Sequence, residues 1–200
     1  MTNATQAPQR RTVILERAGE FLSRLTSGMS RKDAARWKSA QTMAGLGELV
    51  IAWLGGEITQ TPGHCGPPCG ETIPLIPALT VINRGGFVTD SSQLAGSADG
   101  YLWNTWVDGF ATDETLARIR AAVAGTPLIV RACRGRVYEC HHWRAHIPFC
   151  PRGMVTDFWA DRCPALAGAL WDTWWVQVED PEPGRNDLLW PVLIAALGRP

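Results

Sequence analysis

Between Tyr101 and Cys133 the hydrophobic pattern changes period twice, and this switch constrains the fold more than any other feature of the chain. Tyr101–Phe110 (YLWNTWVDGF) is rich in aromatic residues and reads as a strand. Thr112 is placed to cap a helix over 113–124, whose acidic first turn meets the positive end of the helix dipole. Gly125 ends that helix, and Leu128–Cys133 returns to strand character. Strand, helix and strand within about 30 residues is the pattern of a βαβ unit. Its crossover is right-handed if the two strands run parallel. Arg134-Gly135 then predicts a hairpin into 136–140, with Gly135 supplying the positive φ of a tight turn.

The flanking segments are mostly helical. Ile14, Leu15, Ala18, Phe21, Leu22 and Leu25 recur at helical spacing, which predicts an amphipathic helix over 12–26. Ser30, with Asp33 three residues on, starts a second helix running to about Leu54, where Gly55-Gly56 stops it. Residues 59–71 (TQTPGHCGPPCGE) form a loop. Helix resumes near Ile73 and ends at Asn83, with a kink or a fresh helix start at Pro77. Phe87–Asp90 reads as a short strand and 91–100 as a polar loop. After Pro148 the periodicity weakens, leaving a short helix over 163–172, a strand over 173–178 and a turn at Asp180–Arg185. Asn186 or Asp187 caps a terminal helix through Leu197. The expected fold is α+β: N-terminal helices, a small mixed sheet containing the βαβ unit and the hairpin, and a C-terminal helix. Residues 1–30 are expected to form an arm beside one globular domain over 31–200.

Composition narrows the function classes. With 46% hydrophobic and 19% charged residues the chain can bury a full core, and its ten tryptophans must find partners for their indole N–H groups. The net charge is zero, which argues against a protein that coats nucleic acid. The charge is unevenly spread, with eight Lys/Arg against three Asp/Glu in residues 1–38 and three against seven in 153–200. The first dozen residues lack the apolar core of a signal peptide, and Glu48 interrupts the most apolar run, Leu46–Leu54. A cytoplasmic protein with no membrane association is expected, its six cysteines mostly reduced and without disulfides.

Three groups of residues could carry chemistry. His64, Cys65 and Cys69, with Cys140, His141, His142, His146 and Cys150, are the thiolate and imidazole ligands that zinc prefers. Their spacings match no standard zinc pattern, and buried cysteine is also an ordinary small hydrophobe. The loops 64–72 and 89–93 offer Glu71 and Asp90 as acid or base, and Thr72, Thr89, Ser91, Ser92 and Gln93 as hydrogen-bonding groups. The competing role is local: Thr72 as a helix cap, and 90–93 as a turn satisfying its own backbone. Arg185, Asn186 and Asp187 stand before the last helix, where Arg185 would bind an anion or form a surface ion pair. Gly-rich phosphate loops, the nucleophile elbow and the His-Glu-x-x-His signature are absent from the sequence.

RWKSAQTMAGLGELVIAWLGGEI, GHCGPPCGETIPLIPALTVINRGGFVTDSSQ and DPEPGRNDLLWPVL resemble an uncharacterised family of actinobacterial proteins, typical of streptomycetes and their mobile elements and phages. The resemblance covers residues 36–110 and 174–197. It implies that Cys65, Gly66, Pro67, Pro68, Glu71, Thr72, Thr89, Ser92, Gln93, Arg185, Asn186 and Asp187 belong to a common pattern, and it brings no activity with it. It does not require Cys69 or the His141–His146 cluster, which weakens the zinc reading. Leu94-Ala95 stand where the pattern has a glycine after Ser92-Gln93. Three functions follow as expectations: a binding or regulatory protein acting through protein contacts; a small-ligand binder or enzyme using loops 64–72 and 89–93; and a zinc-bearing nucleic-acid module using the Cys/His cluster with Arg131, Arg134, Arg136 and Arg144.

Overall fold

The computed structural model describes residues 29–98, 100–134, 137–140 and 152–198. The helix predicted over 12–26, and the rest of the predicted arm up to residue 28, lie outside them. The long helix expected after Ser30 is two helices, α1 (Arg31–Lys38) and α2 (Met43–Leu54). The Ser30 hydroxyl accepts Asp33 N at 3.0 Å as predicted, but Ser39 Oγ turns back onto Arg36 O at 2.7 Å, and Thr42 caps afresh by accepting Gly45 N at 3.0 Å. After the loop, a 3₁₀ turn (Ile73–Leu75) leads into α3 (Ile76–Arg84), with Pro77 in its first turn, where no backbone donor is needed.

The expected loop over 91–100 carries strand structure. β1 spans Val88–Gln93, β2 Gly96–Ala98 and β3 Tyr101–Trp103, the last two forming a separate hairpin. The single strand expected over 101–110 is therefore divided, and β4 runs from Trp106 to Ala111. The break falls at Thr105, whose hydroxyl donates to Gln93 O at 2.9 Å and whose carbonyl accepts Asp180 N at 3.0 Å. α4 (Asp113–Val123), capped by Thr112, precedes β5 (Ile129–Arg134), which pairs with β6 (Val137–Cys140) as the predicted hairpin. Then come α5 (Arg152–Arg162), a 3₁₀ turn (Pro164–Leu166), α6 (Ala167–Asp172), β7 (Trp174–Glu179) and α7 (Leu189–Leu197). α5 has no counterpart among the sequence expectations. α7 begins at Leu189 with Leu188, not Asn186 or Asp187, as its flanking residue.

The sheet order is β1-β4-β7-β5-β6, and every neighbouring pair is antiparallel. β4 and β5 are parallel, as a βαβ unit requires, but β7 lies between them, so the unit is split and the sheet is not locally mixed. Residues facing each other across the ladder share a face of the sheet. Val107, Val178 and Val130, then Gly109, Val176 and Ala132, form an apolar face. Where that face ends, the Trp174 indole donates to Asp113 Oδ1, in the first turn of α4, at 2.7 Å. On the opposite face Phe110 meets Trp159 of α5 edge-on at 5.7 Å, and Trp159 meets Trp37 of α1 at the same distance. Buried side chains from Trp37 to Leu197 form one cluster.

Candidate functional site

The Trp159 face holds polar side chains in the middle of three apolar strands. Asp108 of β4 stands opposite Gln177 of β7, and Gln177 opposite Arg131 of β5, so the three form a straight row across the sheet. Asp108 is 8% exposed and Arg131 6%. Burying such groups is costly unless they are paired. Arg131 Nη1 donates to Gln177 Oε1 at 3.0 Å and forms an ion pair with Glu179, whose other carboxylate oxygen accepts Asn104 Nδ2 at 2.8 Å. Both Arg131 contacts run through Nη1 alone.

At the other end of the row β1 carries a bulge. Thr89 faces Gly109 and Ser91 faces Asp108, so Asp90 is an extra residue in the strand. A bulge re-aims a side chain, and bulges collect at functional sites. Asp90 Oδ1 accepts the Trp159 indole N–H at 2.7 Å, and Asp108 Oδ1 accepts Ser91 N at 3.0 Å. Burial, reinforced by the charge of Asp90 and opposed by the Ser91 amide, pushes the Asp108 carboxyl well above the usual carboxylate range. The pair can therefore hold a proton on Asp108 beside the Asp90 acceptor. Two glycines make room for the bulge. A Cβ on Gly109 would overlap the Val88 carbonyl, and one on Gly63 would overlap Asp90 Oδ1, with Asp90 Cγ at 3.2 Å. The 59–71 loop is thus seated on the Asp90 carboxylate, and it is also docked on α2, where Trp53 donates to Gly66 O at 2.9 Å and stacks on His64 at 5.8 Å.

The residues singled out in the sequence are distributed around this centre. Thr89 is locked to the buried Asn83, which donates to its hydroxyl at 2.8 Å and accepts its amide at 3.1 Å. Gln93 accepts the Trp106 indole at 3.0 Å, and Ser92 is half-buried opposite Val107. Thr72 is buried with its hydroxyl 3.3 Å from Cys69 Sγ, and Glu71 is exposed. Arg185, which the sequence reading placed on an anion or a surface ion pair, grips the fully buried Asp180 through Nε and Nη2, both at 2.6 Å. Asn186 clamps Ala95, donating to its carbonyl at 2.9 Å and accepting its amide at 2.7 Å, and Asp187 is exposed.

Of the metal candidates, Cys65 and Cys69 are exposed and form no disulfide, and among the described residues no three His, Cys, Asp or Glu side chains form a metal-sized group. His142, His146, Cys150 and the Cys140 side chain lie outside the described residues. Cys133 is disulfide-bonded, which corrects the expectation that the chain forms no disulfides. That expectation rested on compartment, and compartment says nothing of which sulfurs a fold brings together. A cavity of about 340 Å³ lies elsewhere, at the C-terminal end of α4 beside Leu128 and Val130, and holds none of these groups.

The profile of a domain of unknown function, DUF6919, matches residues 32–141, more than half of the chain. The chain belongs to the DUF6919 family. A comparison with curated protein sequences found no match. The DUF6919 match contains Asp90, Asp108 and Arg131 but ends before Gln177 and Glu179, so the polar row joins the matched segment to the strand that follows it.

Proposed function

We propose that this DUF6919 protein is a regulatory binding protein that takes a small polar ligand on the Asp108–Gln177–Arg131 face. The observation that carries this reading is the bulge at Asp90, which sets a half-buried carboxylate beside the buried Asp108 and directly under Gly63 of the loop. Convergent polar groups in an otherwise apolar setting are what small-ligand sites are made of. Gly63 couples the site to the 59–71 loop, so occupancy next to Asp90 changes the surface that carries His64, Cys65 and Cys69. A protein partner reading that loop would make the binding event regulatory. The resemblance to streptomycete, mobile-element and phage proteins supports a cytoplasmic setting for such a role. Among the described residues no helix is long and apolar enough to cross a membrane.

A thermal-shift screen of small polar compounds against the wild type and Asp108→Asn tests the reading. Compounds that stabilise the wild type and lose that effect in the variant are the expected result. A screen in which every stabilising compound acts equally on both proteins overturns it.

A further inference from the structure

We infer that the ligand of this face is a small monocarboxylate, held between the sheet and α5 by Arg131 and the Trp175 indole N–H. The inference rests on the small-ligand reading above and names the chemistry of that ligand. Trp175 is the cross-strand partner of both Phe110 and Cys133, so it shares the face of Asp108, Gln177 and Arg131 and stands in the adjoining row. It is 5% exposed, and its Nε1 is buried with no hydrogen-bond partner. Across from it, α5 brings Trp159 onto Phe110, and one turn earlier on α5 the hydroxyl of Thr156, fully buried, has no partner either. An indole N–H can only donate, and a hydroxyl can donate. Both bonds of Arg131 run through Nη1, which leaves Nε and Nη2 of a side chain only 7% exposed as further donors. Two buried donors without partners, with the remaining guanidinium nitrogens of Arg131 beside them on the same face, call for an acceptor.

Charge selects which acceptor. Glu179 already compensates Arg131, and Asp90 and Asp108 close the far end of the row. A phosphate would bring about two negative charges to this site. A monocarboxylate brings one charge and two acceptor oxygens, enough for the guanidinium and one further donor. Asp108 in its protonated form tolerates that anion. Asp90, Ser91 and Gln177 are half-buried, so the row is approachable from the Asp108 end.

The test uses the full chain and four probes: acetate, propionate, benzoate and inorganic phosphate, with Kd from isothermal titration and the thermal midpoint of each complex. Trp175→Phe keeps the ring and removes only the unpartnered N–H. The expected result is that a carboxylate binds the wild type, phosphate does not compete with it, and Trp175→Phe weakens binding tenfold or more. In the ligand-free state the same variant should melt at or above the wild-type temperature, because a buried orphan donor has been removed. Arg131→Gln should abolish binding; if it fails to fold, Trp175→Phe still decides. Equal carboxylate affinity in the wild type and Trp175→Phe overturns the inference, as does the absence of any carboxylate binding. In either case an Asp108-dependent hit with a neutral compound leaves the small-ligand reading standing, and no such hit removes both.

Discussion

The three atoms nearest a side chain at Gly63 all belong to the Asp90 carboxylate, and that closeness allows a prediction with a sign change. In Gly63→Ala the new methyl displaces Asp90 Oδ1, which holds the Trp159 indole at 2.7 Å. Trp159 is fully buried, so its N–H is left without an acceptor. A hydrogen bond to a charged group contributes about 1.5–3 kcal/mol, and that is the expected cost. At about 2–4 °C per kcal/mol for a chain of this size, the melting temperature should fall by about 3–12 °C. Gly63 is not among the glycines of positive φ, so alanine is conformationally admissible there. In an Asp90→Ala background the obstacle is gone, and the same substitution should stabilise by about 0.4–1 kcal/mol through the unfolded chain. The coupling in a double-mutant cycle, read from urea unfolding, is then about 2–4 kcal/mol. A Gly63→Ala cost that is the same in both backgrounds, to within about 0.5 kcal/mol, refutes the contact between the loop and the bulge.

Asp108→Asn should stabilise the protein increasingly as pH rises. The folded-state pKa of Asp108 lies above its unfolded value, so the native state holds the extra proton. Wild-type stability therefore falls as pH climbs from the ordinary carboxyl range, about 3.9, through the raised value, whereas asparagine has no such loss. Unfolding curves from pH 4 to 8 that stay parallel for the two proteins would contradict this. Asn83→Ala removes one donor contact to Leu79 O, another to Thr89 Oγ1 and the acceptor of Thr89 N, and should cost about 2–4 kcal/mol in chemical denaturation; a cost below about 1 kcal/mol argues against the clamp. Burial pushes the Cys163 thiol up to about 12, so iodoacetamide should label exposed Cys65 and Cys69 well before Cys163, which should react only on unfolding. Peptide mapping after a short alkylation pulse checks the order.

Much of the element list was legible because period and punctuation agree with the fold: Thr112 caps α4, Gly125 follows it with φ 80°, and β5 pairs antiparallel with β6, as expected from Arg134-Gly135. α5 escaped because one of its buried positions is Thr156, so its apolar residues do not trace a helical stripe in the sequence. Trp159 goes inward for contacts with Phe110, Trp37 and Asp90 that no local pattern announces. The division of the 101–110 strand depends on Thr105 bonding Gln93 and Asp180, partners 12 and 75 residues away. Loops 64–72 and 89–93 point towards Asp90, and the buried row lies beyond them, although each strand marks it. VDG, VRA and VQV each put one polar residue at the centre of an apolar strand. Arg131 was grouped with its neighbours as a basic patch, because sequence alone does not tell an inward arginine from an outward one. Asn186 and Arg185 likewise hold Ala95 and Asp180, contacts set by tertiary packing.

The position of β7 governs how the molecule is assembled. Trp106 pairs with Glu179 and Ile129 pairs with the same residue from the other side, so β4 and β5 gain their common neighbour only once Trp174–Glu179 has been made. Until then a growing polypeptide carries two separate ribbons, β1–β4 and β5–β6, each with an open hydrogen-bonding edge of the kind that recruits other chains. Closing such long loops costs little at equilibrium but must precede the pairing that rewards it. The burden therefore falls on folding rate and on protection of the nascent chain, and β7, made after both ribbons, acts as the keystone that turns two aggregation-prone ribbons into one sheet.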